Sequence, residues 1–263
     1  MTIKKDLLVA WQKKDENEFI HLLTENLDYI NTAVCVEGHY FSPLHMAAES
    51  GWVESCKFLL AQKAIVDLQY FEFIEEPKGC VSLSEGKLPE GSPAIYCKTA
   101  LHLAAGNAHK DCVSLLLQHG ANPNARDFWG QVPLWKALGN SENEIACVKC
   151  LLEDPRTDPN IAEDDYEYGD TPLHDAVRNN YTECVKLLIF ADVELTIKNT
   201  KENYTAYELA NGEMKSVIIQ ALKERNCQLK SVFIQALEEK NRELKEKRLE
   251  INDDPALRMS SRF

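Results

Sequence analysis

Apolar and polar positions along the chain follow a unit that is repeated several times. Each unit opens with a helix-start residue, continues through Leu and small Ala positions, crosses a polar turn and ends in a second, Leu-rich segment. The openings start at Ser42, Thr99, Val132 and Thr171, and a weaker copy starts at Thr205. Apart from the longer first interval, the unit recurs at roughly 33 residues, which predicts a stack of helical units rather than one central core.

The residue types in this opening explain why each unit starts a helix. In Thr171-Pro172-Leu173-His174 the Thr suits the N-cap, and the Pro suits the first turn, where no amide partner is lost. The pattern Thr-Pro-Leu-His-x-Ala resembles the ankyrin repeat, and the resemblance covers roughly residues 4–225. It implies an all-α repeat solenoid of helix-turn-helix units with β-hairpin fingers, to which this chain adds a helical C-terminal extension.

The positions of the openings predict the division of the chain. Residues 1–37 lack the opening motif and are predicted to be a degenerate N-terminal capping repeat, with helices over 6–13 and 17–25. The long first interval predicts an insertion over 71–97, with strands over 68–74 and 94–97. The repeats are predicted at 38–70, 98–130, 131–168, 169–203 and 204–225, and a helical extension with a frayed end at 226–263.

Charge restricts the class of partner. The net charge is −13, and positions 1–213 hold 18 basic and 34 acidic side chains, against 11 and 8 from Met214 onward. An acidic body repels phosphate backbones, so we expect no nucleic-acid partner and a partner protein with a basic surface. No apolar run is long enough to predict a membrane span. The expected location is the cytoplasm; the alternative is a host cell's cytosol after secretion from a bacterium.

Four cysteines occupy the same position of the second helix, which predicts that they are small core residues rather than ligands. They are Cys56, Cys112, Cys147 and Cys184. Cys150 completes a Cys-x-x-Cys spacing, but it aligns with repeated Leu positions and no second ligand pair lies nearby. We therefore predict no metal and no cofactor.

No catalytic motif is present, so the sequence predicts a protein that is not an enzyme. It contains no Gly-rich phosphate loop, no His-Glu-x-x-His and no Gly-x-Ser-x-Gly. The remote alternative is a cysteine-dependent enzyme using Cys80 or Cys97 with His39 or His109, because spatial neighbours are not visible in a sequence.

Large aromatic side chains at the finger positions are candidate partner contacts. Phe128 and Trp129 stand where ankyrin fingers commonly carry polar residues, and such aromatics are favoured anchors at interfaces. The same reasoning applies to the insertion and to the acidic finger after it, giving Tyr70, Phe71, Phe73, Tyr96, Asp164, Asp165, Tyr166 and Tyr168. The alternatives are aromatics that pack on the neighbouring repeat and an acidic loop that is simply solvated.

The resemblance adds first-helix positions that follow the motif His, because fingers and first helices line up along a concave face in ankyrin proteins. The candidates are Asn107, Asn140 and Arg178, together with Met46, Glu49, Ser50, Leu103, Lys136, Asp175 and Asn179. Trp135 replaces the motif His in one repeat, so hydrogen bonding at this helix start should be weaker and apolar packing greater. The resemblance also implies that Asn124 and Asn160 stand where asparaginyl hydroxylases act.

These features favour a protein–protein interaction scaffold that binds a partner on the concave face. The alternatives use the same face: a bacterial effector, or a ubiquitin-ligase-type adaptor. In the tail, the pattern of 215–222 recurs at 230–237, which predicts one long helix or two consecutive helices with the break at Asn226. This pattern predicts packing of the tail against the last repeat and a monomer. Self-association through 215–250 is the alternative.

Overall fold

The computed structural model describes residues 3–36, 39–69, 71–72, 98–164 and 168–227, which form paired helices. The helices are α1 Ile3–Gln12, α2 Glu16–Glu25, α3 Pro43–Ser50, α4 Val53–Ala61, α5 Ala100–Gly106, α6 Lys110–Gln118, α7 Pro133–Lys136, α8 Glu142–Glu153, α9 Pro172–Arg178, α10 Thr182–Phe190, α11 Ala206–Leu209 and α12 over 212–227. After the pair α1 and α2, the first helices of the pairs are α3, α5, α7, α9 and α11, and the second helices are α4, α6, α8, α10 and α12.

The helices stack in two layers. First helices contact first helices in the order α3, α5, α7, α9, α11, and second helices contact one another in the order α2, α4, α6, α8, α10. The indole nitrogen of Trp11 ties α1 to α3 by donating to Met46 O at 3.1 Å and to Ser50 Oγ at 2.8 Å. This arrangement confirms the predicted all-α repeat solenoid.

The motif histidines close each helix start. The backbone N–H of Thr99 donates to Nδ1 of His102 at 3.1 Å, so the ring proton belongs on Nε2, which donates to Gln131 O at 3.1 Å. Ser42 with His45 and Thr171 with His174 repeat the first bond at 3.2 Å. The His therefore satisfies an otherwise unpaired amide and, from His102, links its repeat to the next finger.

The core lies between the two helix layers. The four aligned cysteines, at positions 56, 112, 147 and 184, are completely buried, which confirms their predicted packing role. Each lies one helical turn ahead of a buried Leu, and these residues are Leu60, Leu116, Leu151 and Leu188. Burial of one Leu side chain contributes about 2 kcal/mol, so the stack gains stability layer by layer.

A small antiparallel sheet forms the first finger. It has the order β1-β2-β3, with β1 Val34–Val36, β2 His39–Phe41 and β3 Phe71–Glu72. The backbone of Tyr40 pairs with Cys35 on one side and with Phe71 on the other. The start of the predicted insertion therefore adds a strand to the first finger, while 73–97 and the strand predicted at 94–97 lie outside the described residues.

The repeat that lacks the motif His has the shortest internal first helix. Helix α7 covers four residues, whereas α5 and α9 each cover seven. Its N-cap is Val132, which provides no side-chain hydrogen bond, and Trp135 stands in place of His. The predicted loss of hydrogen bonding at this helix start is confirmed. Helix α11, which keeps a capping box, also covers four residues, so the short length of α7 does not follow from its N-cap alone.

The C-terminal helix α12 buries Met214, Ile218 and Ala221. The structure describes this helix through residue 227, so the choice between one long helix and two helices that meet near Asn226 stays a prediction. Residues 228–263, and with them most of the 215–250 segment predicted as a self-association site, lie outside the described part. Among the described helices, none has the length and apolar character needed to cross a membrane.

Candidate partner-binding site

A cavity of about 460 Å³ opens between two neighbouring fingers and the first helices α7 and α9. We call the surface formed by the fingers and the first helices the finger face. The cavity wall combines aromatic, acidic and basic side chains: Trp129, Gln131, Trp135, Lys136, Glu163, Tyr168, Asp170, Asp175 and Arg178. A site with this lining suits an anchor side chain from a partner protein.

Asp127 builds the finger that carries Trp129. Its Oδ1 accepts hydrogen bonds from the backbone N–H groups of Trp129 and Gln131, both at 3.0 Å. Gly130 lies in the left-handed region with φ of 74°, and a Cβ there would stand 2.7 Å from the backbone nitrogen of Asp164. The tight turn therefore needs Gly, and it fixes Trp129 at the rim of the cavity.

The next finger is tied directly to this one. The backbone N–H of Asp164 donates to Trp129 O at 2.8 Å, and Arg126 donates to Ala162 O at 2.9 Å and to Asp164 Oδ1 at 3.2 Å. These hydrogen bonds hold the two adjacent fingers together, so the cavity between them is preformed. Preformed sites lose less conformational entropy on binding.

The aromatic rim of the cavity is only partly buried. Phe128 is 47% exposed and meets Trp129 edge to face, with ring centroids 5.8 Å apart. Lys136 Nζ lies 5.3 Å from the Trp129 ring centroid and forms a buried ion pair with Asp127 Oδ2 at 2.9 Å. The rim presents apolar area to solvent while its nearest cation is already paired.

Arg178 organises the opposite wall. Its Nε donates to Asp170 Oδ2 at 2.7 Å, and its Nη2 pairs with Glu202. The hydrogen bond to Asp170 raises the pKa of Arg178 above its already high ordinary value, so this side chain stays charged. The Tyr168 ring lies 4.6 Å from Arg178 Cζ and 4.0 Å from Lys201 Nζ, which holds the ring against the wall.

Two carboxylates of the cavity have no cation partner. Glu163 accepts from Gln131 Nε2 at 2.9 Å and from the Tyr168 N–H at 3.3 Å, and Asp175 accepts from Asn179 Nδ2 at 2.9 Å. Within the described part of the chain, no Lys, Arg or His nitrogen lies within 4.0 Å of either carboxylate. Burial, followed by the charges of Asp170 and Glu163, raises the pKa of Asp175 to about 6.

A second cavity of about 370 Å³ adjoins the first on the finger face. Lys136 lines both cavities, and Asn107 and Leu103 line the second one from helix α5 and its C-cap. The two cavities follow one another along successive repeats. This arrangement suits an extended partner segment that crosses several fingers.

The structure brings part of the predicted set together. Trp129, Tyr168 and Arg178 line the first cavity, with Lys136 and Asp175 from the resemblance, and Phe128 and Asp164 belong to the same finger pair. Asn140 is exposed after α7 and lines neither cavity, and Phe71 lies in β3. Tyr70, Phe73, Tyr96, Asp165 and Tyr166 lie outside the described residues.

The sequence did not identify Gln131, Glu163 and Asp170 as residues that line the cavity. It singled out Trp135 only because Trp replaces the motif His at that position. A usable signal exists for two of them: Gln131 and Asp170 directly precede the N-cap residues of α7 and α9. That position lies at the base of each finger. The place of Glu163 follows only from pairing between two fingers, which a single sequence does not show.

The thiols of Cys147, Cys150 and Cys184 behave as groups packed in or against the core. Burial raises the pKa of Cys147 to about 12, and burial also raises the pKa of Cys150 and of Cys184, so the nucleophilic thiolate is disfavoured. His109 contacts Glu49 O through Nε2 at 3.0 Å. Cys80 and Cys97 lie outside the described residues, and within them no three His, Cys, Asp or Glu side chains are grouped for a metal.

Asn124 and Asn160 connect successive loops. Asn124 Nδ2 donates to Arg156 O at 2.7 Å, and its Oδ1 accepts from the Asp158 N–H at 2.8 Å. Asn160 Oδ1 accepts from the Glu194 N–H at 2.8 Å. These bonds give both side chains a role in holding neighbouring repeats together, and their hydroxylation stays a prediction.

Comparison with known proteins agrees with this geometry. A family model of ankyrin repeats matches residues 7–127, 82–163, 101–199 and 141–232. Human inversin is 30% identical over 158 residues, covering 55% of this chain and 15% of inversin. The E3 ubiquitin-protein ligase XBAT33 of Arabidopsis thaliana is 34% identical over 89 residues, covering 34% of this chain and 16% of the ligase.

Mouse ankyrin repeat and SOCS box protein 11 is 31% identical over 128 residues, covering 49% of this chain and 36% of that protein. The chain therefore spans between about a seventh and about a third of these three relatives. The family match itself extends over most of the 263 residues and coincides with the stacked helix pairs. The chain belongs to the ankyrin-repeat family.

Proposed function

We propose that this chain is a cytosolic scaffold that binds a partner protein with a basic surface on its finger face. Ankyrin repeats support a role in protein–protein interaction. The observation that carries the finer proposal is the preformed cavity in which Trp129 and Tyr168 stand beside two carboxylates without a cation partner. The acidic balance of positions 1–213 adds long-range attraction for a basic partner.

Rigidity supports this proposal. The two fingers around the cavity are joined by one backbone hydrogen bond and by the side chain of Arg126, and Gly130 fixes the turn that positions Trp129. Little ordering is then needed when the partner arrives, and a few aromatic anchors contribute most of the binding energy. Truncating one such anchor typically costs about 2 kcal/mol, or about a 30-fold loss of affinity.

The test is a quantitative pull-down from eukaryotic cell lysate with the intact chain and the double variant Phe128→Ala, Trp129→Ala. Phe190→Ala is the matched control, because Phe190 is an exposed aromatic on the second helix α10, away from the finger face. We expect the captured protein to be lost with the double variant and retained with the control, while helical content stays unchanged. Retention with both variants, or loss of helical content together with binding, would contradict the proposal.

A ubiquitin-ligase-type adaptor is the second candidate, and the observation in its favour is that XBAT33 carries related repeats. An adaptor needs a second surface that the finger face does not provide. Ligase subunits should then remain bound to the Phe128→Ala, Trp129→Ala variant while the recruited protein is lost. Absence of ligase subunits from the pull-down with the intact chain would remove this candidate.

A further inference from the structure

We infer that the first cavity of the finger face takes one basic side chain of the partner, a lysine or an arginine, between Glu163 and Asp175. This inference rests on the proposed function and names the group that the cavity recognises. The claim concerns a single anchor position in an extended basic segment. It follows from three features of the cavity: its charge balance, its aromatic walls and its fixed shape.

The charge balance leaves a place for one cation. Lys136 is paired with Asp127 at 2.9 Å, and Arg178 is paired with Asp170 at 2.7 Å and with Glu202. The resident cations are therefore occupied by residues around the cavity. Glu163 and Asp175 have no cation partner among the described residues, and an incoming cation would pair with one carboxyl group that is buried and one that is half-buried.

The aromatic walls fit the rest of a basic side chain. Trp129, Trp135 and Tyr168 line the same cavity as the two carboxylates. Lys and Arg have aliphatic stems that pack on such rings, while their charged ends form charge-assisted hydrogen bonds with carboxylates. A neutral apolar side chain would pack against the rings but would leave both carboxylates without a cation.

The raised pKa of Asp175 agrees with an excess of negative charge beside the cavity. Its pKa is raised to about 6 by burial first, and then by the charges of Asp170 and Glu163. The groups that face it are Asp170 and Glu163 from the fingers, Arg178 and Asn179 on α9, and Tyr181 and Cys184 on α10, with Lys136 on α7 at the cavity wall. A bound cation would lower the pKa of Asp175 again, so binding and deprotonation favour each other.

The experiment uses the full chain labelled with ¹⁵N and three short peptides that differ at one position. The central residue of Ac-Gly-Ala-X-Ala-Gly-NH₂ is Lys, Arg or norleucine, which keeps the apolar stem without the charge. The indole N–H signals of Trp129 and Trp135 report on the cavity, and those of Trp11 and Trp52 lie elsewhere in the fold. We expect saturable shifts of the first two signals with the Lys and Arg peptides, and about tenfold weaker binding of the norleucine peptide.

Variants and pH separate recognition from loss of fold. Asp175→Asn keeps the shape of the side chain and should weaken binding of the Lys peptide about tenfold. Glu183→Gln, on the exposed side of α10, should leave the affinity for this peptide unchanged. For the intact chain, a change from pH 7.5 to pH 5 should weaken binding about tenfold, because Asp175 becomes mostly protonated, and Asp175→Asn should abolish that dependence.

Equal binding of the norleucine peptide, or no saturable shift with any peptide, would overturn the inference. The same holds for a pH dependence that persists in Asp175→Asn. None of these results removes the proposed function if partner capture still depends on Phe128 and Trp129. Loss of that dependence, together with intact lysine binding, would instead remove the proposed function.

Discussion

Acidification from pH 7 to pH 5 should weaken the fold, because the buried motif histidines stay uncharged in it. Burial lowers the pKa of His45 and of His102 from 6.5 to about 4. In this interval the unfolded chain takes up protons that the folded chain does not, so the free energy of unfolding falls as the pH falls. The stabilisation is fully present above the unfolded pKa of 6.5 and is lost toward pH 4.

The size of this effect follows from the two pKa values. When burial lowers the pKa of one histidine from 6.5 to about 4, the free energy of unfolding falls by about 2 kcal/mol between pH 7 and pH 5. His45 and His102 together therefore account for a fall of about 4 kcal/mol. Asp175 acts in the opposite direction, because its pKa is raised from 3.8 to about 6 and its protonation favours the folded chain by about 1 kcal/mol. The net expected loss is about 3 kcal/mol.

Urea unfolding followed by far-ultraviolet circular dichroism at pH 7, 6 and 5 and constant ionic strength measures this loss. His102→Gln should be less stable at pH 7, because it loses the bonds to Thr99 and Gln131, but its loss between pH 7 and pH 5 should be smaller by about 2 kcal/mol. His21→Gln, at an exposed position of α2, is the matched control and should follow the intact chain. A stability that is equal at pH 7 and pH 5, or an unchanged pH dependence in His102→Gln, would refute the reasoning.

Three further mutational tests address the contacts that build the stack and the site. Gly130→Ala should lower the free energy of unfolding in urea by about 3 kcal/mol, because φ is 74° and the added Cβ would meet Asp164. Gly120→Ala, where φ is 89° and the space around the residue is open, should lower it by about 1 kcal/mol, and equal losses would refute the steric argument. Asn124→Ala should lower the free energy of unfolding by about 2 kcal/mol through two lost loop bonds, and no change would contradict their role. Val132→Thr and Trp135→His together should recreate the His-capped helix start, giving a favourable coupling of about 1 kcal/mol in a double-mutant cycle. A coupling near zero would show that this pair does not stabilise the helix start here.

The repeat fold could be predicted because its signals are local. The N-cap Thr and the His three residues later form a bond within one helix turn, so the same short motif gives the same start at Thr99 and Thr171. The buried cysteines could be predicted for a related reason: Cys112 and Cys147 occupy equivalent places in successive repeats.

The candidate site could be predicted only in part, because its contacts join residues from different repeats. Trp129 was visible as an unusual finger aromatic. The pairing of Arg178 with Asp170 and Glu202 decides which carboxylates remain without a cation, and it spans separations of 8 and 24 residues that follow no repeat period. The sequence shows the number of charges on this surface, while only the fold shows which of them neutralise one another.

Photo-crosslinking from the rim of the cavity tests most directly whether the finger face is the partner-binding surface. The photoreactive residue p-benzoylphenylalanine would replace Phe128 in one sample and Phe190 in a second, because both side chains are exposed aromatics. Phe128 belongs to the rim of the cavity, whereas Phe190 lies on the second helix α10, away from the finger face. After irradiation in eukaryotic lysate, we expect a covalent partner from position 128, attached through a segment rich in Lys or Arg, and none from position 190. Adducts from position 190 alone, or adducts from position 128 that map to acidic or uncharged segments, would contradict the assignment of this face to a basic partner.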